Sequence, residues 1–285
     1  MSRNNNDRLG AHQQDTSPAP SQVMQNDSPG FSFVVPSEFV DLPTGGRYYP
    51  EGHPLHKQSS IEIKQMTAKE EDMLTSQTLL RKGIALERVL SSLIMDKNIS
   101  TDTLYVADKN AIIIATRISG YGSDYNTTVG CPACGESQKY SFDLRNAKVY
   151  TGDDCDVLGV NNNENGTFNV TLPKTKVDVT FRLLTGHDEK LLVNGMEKDK
   201  KSKSHERNVT RQIAFMVLAV NGDSSTEAIQ YFVENIPAID ARHLRAAYKA
   251  ASPNIDMTQS FVCGECDHEQ EMEVPLNADF FWPVQ

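Results

Sequence analysis

Apolar positions along this chain alternate with polar ones in some segments and recur at helical spacing in others. Alternation over Ser60–Lys64 predicts a strand. The capping box Thr67–Glu70 predicts the start of a helix, and apolar residues at helical spacing continue over Leu79–Met95. A further helix is predicted from an N-cap at Asp108 to a stop at Gly120. This mixture of strands and helices predicts an α+β fold.

The second half of the chain repeats this order of predicted elements. Thr185, like Thr67, is followed three and four residues later by acids and then by two apolar residues, with no gap between the two segments. The remaining counterparts are a strand at Val177–Phe181, a helix at about 208–220 and a helix at about 239–251. We interpret the chain as two copies of a hairpin-plus-helices unit; the alternative is chance similarity between α+β segments.

Each copy ends in a Cys-x-x-Cys pair inside a predicted hairpin. Cys131 and Cys134 flank a tight turn between two alternating segments, and Cys263 and Cys266 do the same in the second copy. Structural zinc takes four ligands, commonly four thiolates, so two cysteines per copy cannot complete a site alone. The spacing therefore predicts one structural zinc per chain, held by both pairs in a zinc ribbon that joins the copies.

Other uses of these thiols stay open. One is a redox dithiol, although a redox Cys-x-x-Cys normally opens a helix after a strand, and another is simple free thiols. His268 follows Cys266 closely and is an alternative ligand to one cysteine. Cys155 has no partner at this spacing; we interpret it as an inert thiol, with a role as an alternate ligand left open.

Composition divides the chain into four parts. Residues 1–30 are rich in Asn, Gln, Ser, Asp and Pro, which predicts a disordered tail; a partner-binding arm that orders on contact is the alternative. Residues 31–144 form the first copy with its knuckle, and residues 145–166 form a polar linker or long loop. Residues 167–285 form the second copy with its knuckle and an aromatic C-terminus.

Charge and hydropathy disfavour nucleic-acid binding and membrane insertion. The formal net charge of -10 repels phosphate backbones, so nucleic-acid binding is not expected. No apolar run reaches the roughly 18 residues of a membrane span, and the first residues lack a signal-peptide core, so a cytosolic location is expected and no membrane contact. Two cysteine pairs and one odd cysteine suit metal binding in a reducing compartment better than disulfides.

Catalysis is not expected from this sequence. It contains no nucleotide-binding glycine loop, nucleophile elbow or HExxH motif. The run His187-Asp188-Glu189 is explained better as the first turn of a helix than as an acid–base group. Four thiolate ligands leave no coordination position for a hydrolytic water, which disfavours a metal-dependent hydrolase.

Two segments, FVVPSEFVDLPTGGRYYPEGHPL and SSIEIKQMTAKEEDMLTS, carry a resemblance to a known family. They resemble the baseplate hub assembly proteins of T-even-type contractile-tailed bacteriophages, a family described as phage baseplate protein. The matching motifs are Pro36-Ser37, the turn at 42–46, Tyr48-Tyr49-Pro50 and the helix start at 66–72. The resemblance extends from residue 31 to about residue 280.

The resemblance implies a role in building the hub of the tail baseplate. The chain would be a late protein that acts as a hub component or as an assembly factor, a chaperone for the tape measure protein or for a hub subunit. Its partners would be baseplate hub proteins, the tape measure protein or both, in the host cytoplasm during assembly or in the virion tail baseplate. The resemblance implies no catalytic residues.

A zinc-ribbon nucleic-acid-binding or transcription-related factor is the alternative from another class. Such ribbons usually carry Lys and Arg around the knuckle, whereas the second knuckle here reads CGECDHEQEME and is acidic.

Aromatic residues flanking the predicted copies are candidate partner contacts, because aromatic side chains are enriched in binding hot spots. They are Phe31, Phe33, Phe39, Tyr48 and Tyr49 on one side and Phe280, Phe281 and Trp282 on the other. Trp282, the only tryptophan, either covers the core of its own chain or docks with Phe281 on a hub partner or a second copy.

Overall fold

The structure is a computed structural model, and it describes residues 34–163, 165–202, 207–275 and 280–281. The predicted N-terminal tail at 1–30 lies outside the described residues. So do three of the candidate contact residues, Phe31, Phe33 and Trp282.

The first unit is a two-stranded antiparallel sheet packed against four helices. Its elements are β1 (Ser37–Asp41), β2 (Ser60–Lys64), α1 (Ala68–Thr75), α2 (Gln77–Arg81), α3 (Ala85–Leu93) and α4 (Val106–Tyr121). The strand predicted over 60–64 is confirmed, with Ile61 opposite Val40. The capping box of Thr67 and Glu70 at the start of α1 is confirmed as well.

Two helix predictions in this unit are wrong in part. The single helix predicted over 79–95 is broken into α2 and α3 at Gly83, whose φ of 66° is a left-handed conformation that glycine adopts without strain. Asp108 is not an N-cap, because α4 begins at Val106 and Asp108 is buried in its first turn. The helix also passes Gly120 and ends at Tyr121, before Gly122 with φ 83°.

A hairpin and a structured connection follow. The elements are β3 (Asp124–Gly130), β4 (Ser137–Asp143), β5 (Lys148–Tyr150) and β6 (Val160–Asn162). The segment 145–166, predicted as a linker or long loop, thus contributes two strands and a 3-10 turn at Cys155–Leu158. Short polar strands of three residues carry too weak an alternation to be recognised from sequence.

The second unit is a four-stranded antiparallel sheet in the order β6-β7-β8-β9, packed with four helices. Its further elements are β7 (Thr167–Thr171), β8 (Asp178–Arg182), α5 (Gly186–Ser202), α6 (Asn208–Met216), β9 (Val217–Val220), α7 (Thr226–Asn235) and α8 (Ala238–Ala251). The helix predicted over 208–220 ends at Met216, because Val217 and the residues after it pair with β8 instead.

A last group of strands completes the described chain: β10 (Asn254–Asp256), β11 (Thr258–Val262) and β12 (Glu269–Glu273). β10 pairs with β5, and β11 pairs with β12 as a second hairpin. Below, the first hairpin is β3–β4 and the second hairpin is β11–β12. Within the described ranges, no helix is both long enough and apolar enough to cross a membrane.

The hydrophobic core has two parts. One contains the first unit together with both hairpins, so Phe261 and Val274 of the second hairpin pack with residues of the first unit. The other contains the sheet and helices of the second unit. Tyr48, from the loop between β1 and β2, is buried in this second part, with its ring centroid 5.8 Å from that of Phe168.

Backbone hydrogen bonds join the two units directly. The N–H of Val106 donates to the carbonyl of Leu184 at 3.1 Å, and the N–H of Gly186 donates to the carbonyl of Leu104 at 2.8 Å. A Cβ atom on Gly186 would overlap the carbonyl oxygen of Thr101, so glycine allows this close approach. The starts of α4 and α5 are therefore fixed against each other.

Two sets of side-chain contacts recur in the units at constant sequence separations. In the first unit Glu70 accepts hydrogen bonds from the N–H of Thr67 (3.1 Å) and from Lys64 (2.7 Å). In the second unit, 118 residues later in each case, Asp188 accepts from the N–H of Thr185 (2.9 Å) and from Arg182 (2.7 Å). A base, a threonine and an acid thus make the same contacts at the strand-to-helix junction of both units.

The second recurring set involves buried aspartates. Asp108 accepts hydrogen bonds from the N–H and the hydroxyl of Thr44, in the loop after β1, at 3.0 and 2.7 Å. Asp240, 132 residues later, accepts from the N–H groups of Lys174 and Thr175 in the turn after β7, at 2.9 and 3.0 Å. In each unit, a helix uses one carboxylate to hold the turn between two strands.

Candidate metal centre

The tips of the two hairpins bring four sulfur atoms together. The Sγ atoms of Cys131 and Cys266 are 3.7 Å apart, those of Cys134 and Cys263 are 3.8 Å apart, and all four lie within 4.8 Å of one another. These distances are too long for disulfide bonds, which measure about 2.0 Å. A tetrahedral metal with metal–sulfur bonds of about 2.3 Å separates its sulfurs by about 3.8 Å. The four cysteines are therefore positioned to hold one metal ion.

The two turns that present these cysteines have the same backbone geometry. In the first, the N–H of Cys131 donates to the carbonyl of Glu136 at 2.8 Å; in the second, the N–H of Cys263 donates to the carbonyl of His268 at 2.9 Å. Each turn needs one residue with positive φ, which is Gly135 (79°) in the first and Asp267 (54°) in the second. Asp tolerates this conformation better than most residues with side chains, so the second turn can form without glycine at this position.

Side chains at the base of the turns fix the hairpins against each other. The side-chain amide of Gln138 donates to the carbonyl of Val262 at 3.2 Å and accepts from the N–H of Gly264 at 2.9 Å. The Tyr140 hydroxyl donates to the carbonyl of Ser260 at 3.2 Å, and its ring lies 5.1 Å from that of Phe261. Strand β4 is thereby held across β11 in a register that aligns the two cysteine pairs.

The hairpins rest on a buried arginine of α4. Arg117 donates to the carbonyls of Gly122 at 2.6 Å, Asp124 at 3.2 Å and Phe280 at 2.5 Å. These carbonyls belong to the start of the first hairpin and to the segment after the second. The Tyr125 hydroxyl adds a bond to the carbonyl of Pro275 at 3.1 Å. The four cysteines thus stand on a base whose hydrogen bonds involve no metal ligand.

Neighbouring groups shift the pKa values of Cys131 and Cys266 in opposite directions. The backbone N–H of Cys134 lowers the pKa of Cys131 to about 6. At Cys266 the N–H of His268 acts in the same direction, but desolvation and the three neighbouring thiols outweigh it and raise the pKa to about 12. One thiolate in this cluster therefore opposes ionisation of the others, and a divalent cation would relieve that repulsion.

The donor set restricts which metal fits. Four thiolates suit zinc or another soft ion and do not suit Mg²⁺ or Ca²⁺, which take oxygen ligands. Cys131 and Cys263 are buried whereas Cys134 and Cys266 are exposed, so an ion here would lie at the surface.

The structure shows where the two alternative ligands, His268 and Cys155, lie relative to the four cysteines. Among the described residues, the only group of three or more candidate ligands consists of the four cysteines, and His268 is not part of it. Cys155 is buried in the second unit, where its thiol donates to the carbonyl of Gly152 at 3.2 Å.

Several residues that build this centre were not predicted from the sequence. Gln138 and Arg117 carry no local signal, because their partners are carbonyls 124 and 163 residues away. Thr44 was predicted to lie in a turn, and its turn is stabilised by the distant Asp108. A pattern of periodicity or spacing cannot reveal such contacts.

Comparison with protein families gives one match, to the family described as T4 bacteriophage base plate protein, over residues 37–282. The chain belongs to this family. The resemblance seen in the residues before and after β2 is thus confirmed, and both cysteine pairs lie inside the match. Comparison with curated proteins and with solved structures gives no match.

Family membership supports a role connected with the phage baseplate and interaction with other baseplate components. The same match supports a place in the virion tail.

Proposed function

We propose that this chain is a non-enzymatic tail assembly protein, acting either as a component of the baseplate hub or as an assembly factor for the hub or the tape measure protein. The observation that carries the proposal is the family match over residues 37–282. The only metal-ligand cluster among the described residues consists of four thiolates, and these would fill the coordination sphere of a tetrahedral ion. Such a site stabilises a fold and leaves no position for a substrate.

The proposed metal is one structural zinc per chain, bound by Cys131, Cys134, Cys263 and Cys266. Sulfur–sulfur distances of 3.7 and 3.8 Å support it, since they are those of a tetrahedral zinc–thiolate site. In this role the ion adds a link between the tips of the two hairpins, both of which pack in the core of the first unit.

We also infer that the two units arose by duplication. Three kinds of correspondence support this: the contacts of Glu70 and Asp188, those of Asp108 and Asp240, and the two cysteine turns. The first pair is separated by 118 residues, and the aspartates and both cysteine pairs are separated by 132.

Co-purification from infected cells tests the proposed role. The affinity-tagged full chain is expressed during infection, recovered, and its bound proteins are identified by mass spectrometry. We expect baseplate hub proteins, the tape measure protein or both. The double variant Cys131→Ser/Cys134→Ser is the matched sample, and we expect it to recover less of the same partners because loss of a structural metal lowers the stability of the fold.

Two further measurements distinguish a hub component from an assembly factor and from a nucleic-acid-binding protein. Finding the chain in purified virions identifies a hub component, and finding it only in assembling lysates identifies an assembly factor. Recovery of RNA polymerase or nucleic acid without baseplate proteins would instead support the zinc-ribbon nucleic-acid factor. The acidic side chains around the second knuckle make that outcome unexpected.

A further inference from the structure

Helix α8 presents one face to solvent, called the α8 face below, and that face is basic. The buried residues of the helix are Asp240, Ala241, Leu244, Ala247 and Ala251. At 3.6 residues per turn these residues lie on one side, and the exposed residues lie on the other. The exposed residues are Ala238, Ile239, Arg242, Arg245, Ala246 and Lys249. The α8 face thus carries three cations and no acid, although the net charge of the chain is -10.

The three cations of the α8 face are not neutralised by salt bridges. Arg242, Arg245 and Lys249 form no salt bridge with any residue that the structure describes. Arg245 donates a hydrogen bond only within its own helix, to the carbonyl of Ala241 at 3.4 Å. Ile239 is 59% exposed at the N-terminal end of the same face. Such a face is suited to an acidic partner surface that also offers an apolar residue.

The second hairpin carries the opposite charge on its outer face, called the β12 face below. Side chains alternate along a strand, so Glu269, Glu271 and Glu273 point to the same side, and all three are exposed. Val262 of β11 pairs with Glu269, shares this face and is 40% exposed. Within the described ranges none of the three glutamates forms a salt bridge. The β12 face therefore consists of three unneutralised acids with an apolar residue at one end.

The two faces match in length as well as in charge. From Arg242 to Lys249 the cations extend over about 10 Å, at a rise of about 1.5 Å per residue in a helix. From Glu269 to Glu273 the acids extend over about 13 Å, at a rise of about 3.3 Å per residue in a strand. Long, flexible side chains can adjust to this small difference, and each face has its apolar residue at one end.

We propose that the α8 face of one molecule binds the β12 face of a second molecule of this chain. Both faces are exposed in the described chain and no salt bridge joins them there, so their contact needs two molecules. Such a contact is either made twice in a two-fold dimer or repeated around a ring. Charge complementarity sets specificity and association rate more than affinity, so the association is weak and is suppressed by salt. It is independent of the proposed role in tail assembly.

Sedimentation velocity of the purified full chain, without phage partners, tests this proposal. We expect oligomers at low salt that dissociate as NaCl rises from about 0.01 M to about 1 M, because the Debye length falls from about 30 Å to about 3 Å. Arg242→Glu/Arg245→Glu should sediment as a monomer, since both faces then carry net negative charge. Glu269→Lys/Glu271→Lys should do the same, since both faces then carry net positive charge.

Mixing the two charge-reversed variants distinguishes a specific contact from a general effect of charge. In an equimolar mixture each face again meets a face of opposite sign on the other variant, so association should return. The control Lys198→Glu/Lys200→Glu, at exposed residues of α5, changes the net charge as much as the α8 variant does and should associate like the wild type. If circular dichroism shows that one variant is unfolded, the salt dependence and the other variant still decide.

Three results would overturn the proposal. The first is a wild-type chain that stays monomeric at low salt, including one that uses its α8 face to bind nucleic acid instead. The second is an oligomer that persists in both charge-reversed variants, and the third is a mixture of folded variants that stays monomeric. None of these results bears on whether the chain is a baseplate assembly protein, which is tested by its partners in infected cells.

Discussion

Asp108 and Asp240 occupy the same position in their units: each is the third residue of its helix, and each precedes the first cysteine of its hairpin by 23 residues. Both carboxylates are fully buried and each holds the turn between two strands. The helix that leads into each cysteine turn is thus anchored to the sheet of its own unit. The placement of the four cysteines therefore rests in part on these two buried carboxylates.

Removing one carboxylate oxygen should show this dependence. In the native protein the Asp108 carboxylate accepts hydrogen bonds from Thr44 and from the Tyr49 hydroxyl. In Asp108→Asn an amide N–H₂ takes the place of one carboxylate oxygen, so a buried donor faces other donors. We expect a loss of about 2–4 kcal/mol in the free energy of unfolding, measured by urea denaturation. Asp41→Asn, at an exposed residue of β1, is the control and should change stability by less than about 0.5 kcal/mol.

Metal content is the direct test of the cysteine cluster. Elemental analysis of protein purified without added metal should give one zinc per chain. Cys131→Ser should remove the zinc and lower stability by several kcal/mol, since structural metal binding is folding free energy. Cys155→Ser, at the buried cysteine outside the cluster, should keep the zinc. An unchanged melting temperature on addition of a chelator would contradict a structural metal.

Acid should destabilise the first unit through Glu70. Burial alone would raise the pKa of this carboxyl, but hydrogen bonds from Lys64, Ser92 and Thr67 outweigh burial and lower it to about 2. Because the folded pKa lies below the ordinary value of 4.5, the contribution to stability is complete above pH 4.5 and is lost as pH falls toward 2.

The measurement is the free energy of unfolding as a function of pH. In Glu70→Gln the decrease between pH 4.5 and 2 should be smaller than in the wild type by on the order of 2 kcal/mol. Glu51→Gln, at an exposed residue of the loop after β1, should follow the wild-type curve. Parallel curves for Glu70→Gln and the wild type would show that other groups cause the acid sensitivity.

A methyl group at Gly186, where the two units meet, should weaken the contact between them. In Gly186→Ala the new Cβ overlaps the carbonyl oxygen of Thr101, a backbone atom that cannot move alone. We expect a loss of about 2 kcal/mol or more in unfolding free energy. Gly120→Ala is the matched control, because it is also helical and its Cβ meets only the flexible end of Met66. That change should be tolerated, since Ala favours a helix over Gly by about 0.5–1 kcal/mol.

Sequence patterns predicted the elements of this fold better than their connections. The strand at 60–64, the capping box at Thr67 and the cysteine turns were all predictable, because each depends on residues close in sequence. The break at Gly83 and the strand at Val217–Val220 were not, since an isolated glycine is tolerated in helices and apolar β-branched residues suit either structure. Pairing with β8 decides the second case.

The clustering of the four cysteines was predictable from the sequence, but the contacts that support the cluster were not. Two Cys-x-x-Cys pairs in similar hairpins identify four sulfurs from spacing alone. The position of the second hairpin against the first unit, by contrast, depends on Gln138, Tyr140 and Arg117, whose hydrogen bonds go to distant backbone carbonyls. Hydrogen bonds to distant backbone carbonyls produce no periodic pattern in a sequence, so they cannot be predicted from it.

The pairing of Cys134 with Cys263 spans 129 residues, and this has a consequence for the order in which the protein matures. A ribosome adding about 5–20 residues per second needs roughly 10 s to pass from the first pair to the second. Throughout that time the nascent chain offers a metal ion only two of its four ligands. Tight binding of the proposed metal would therefore have to wait until both hairpins are made, and an occupied site would mark a chain whose distant segments have already come together.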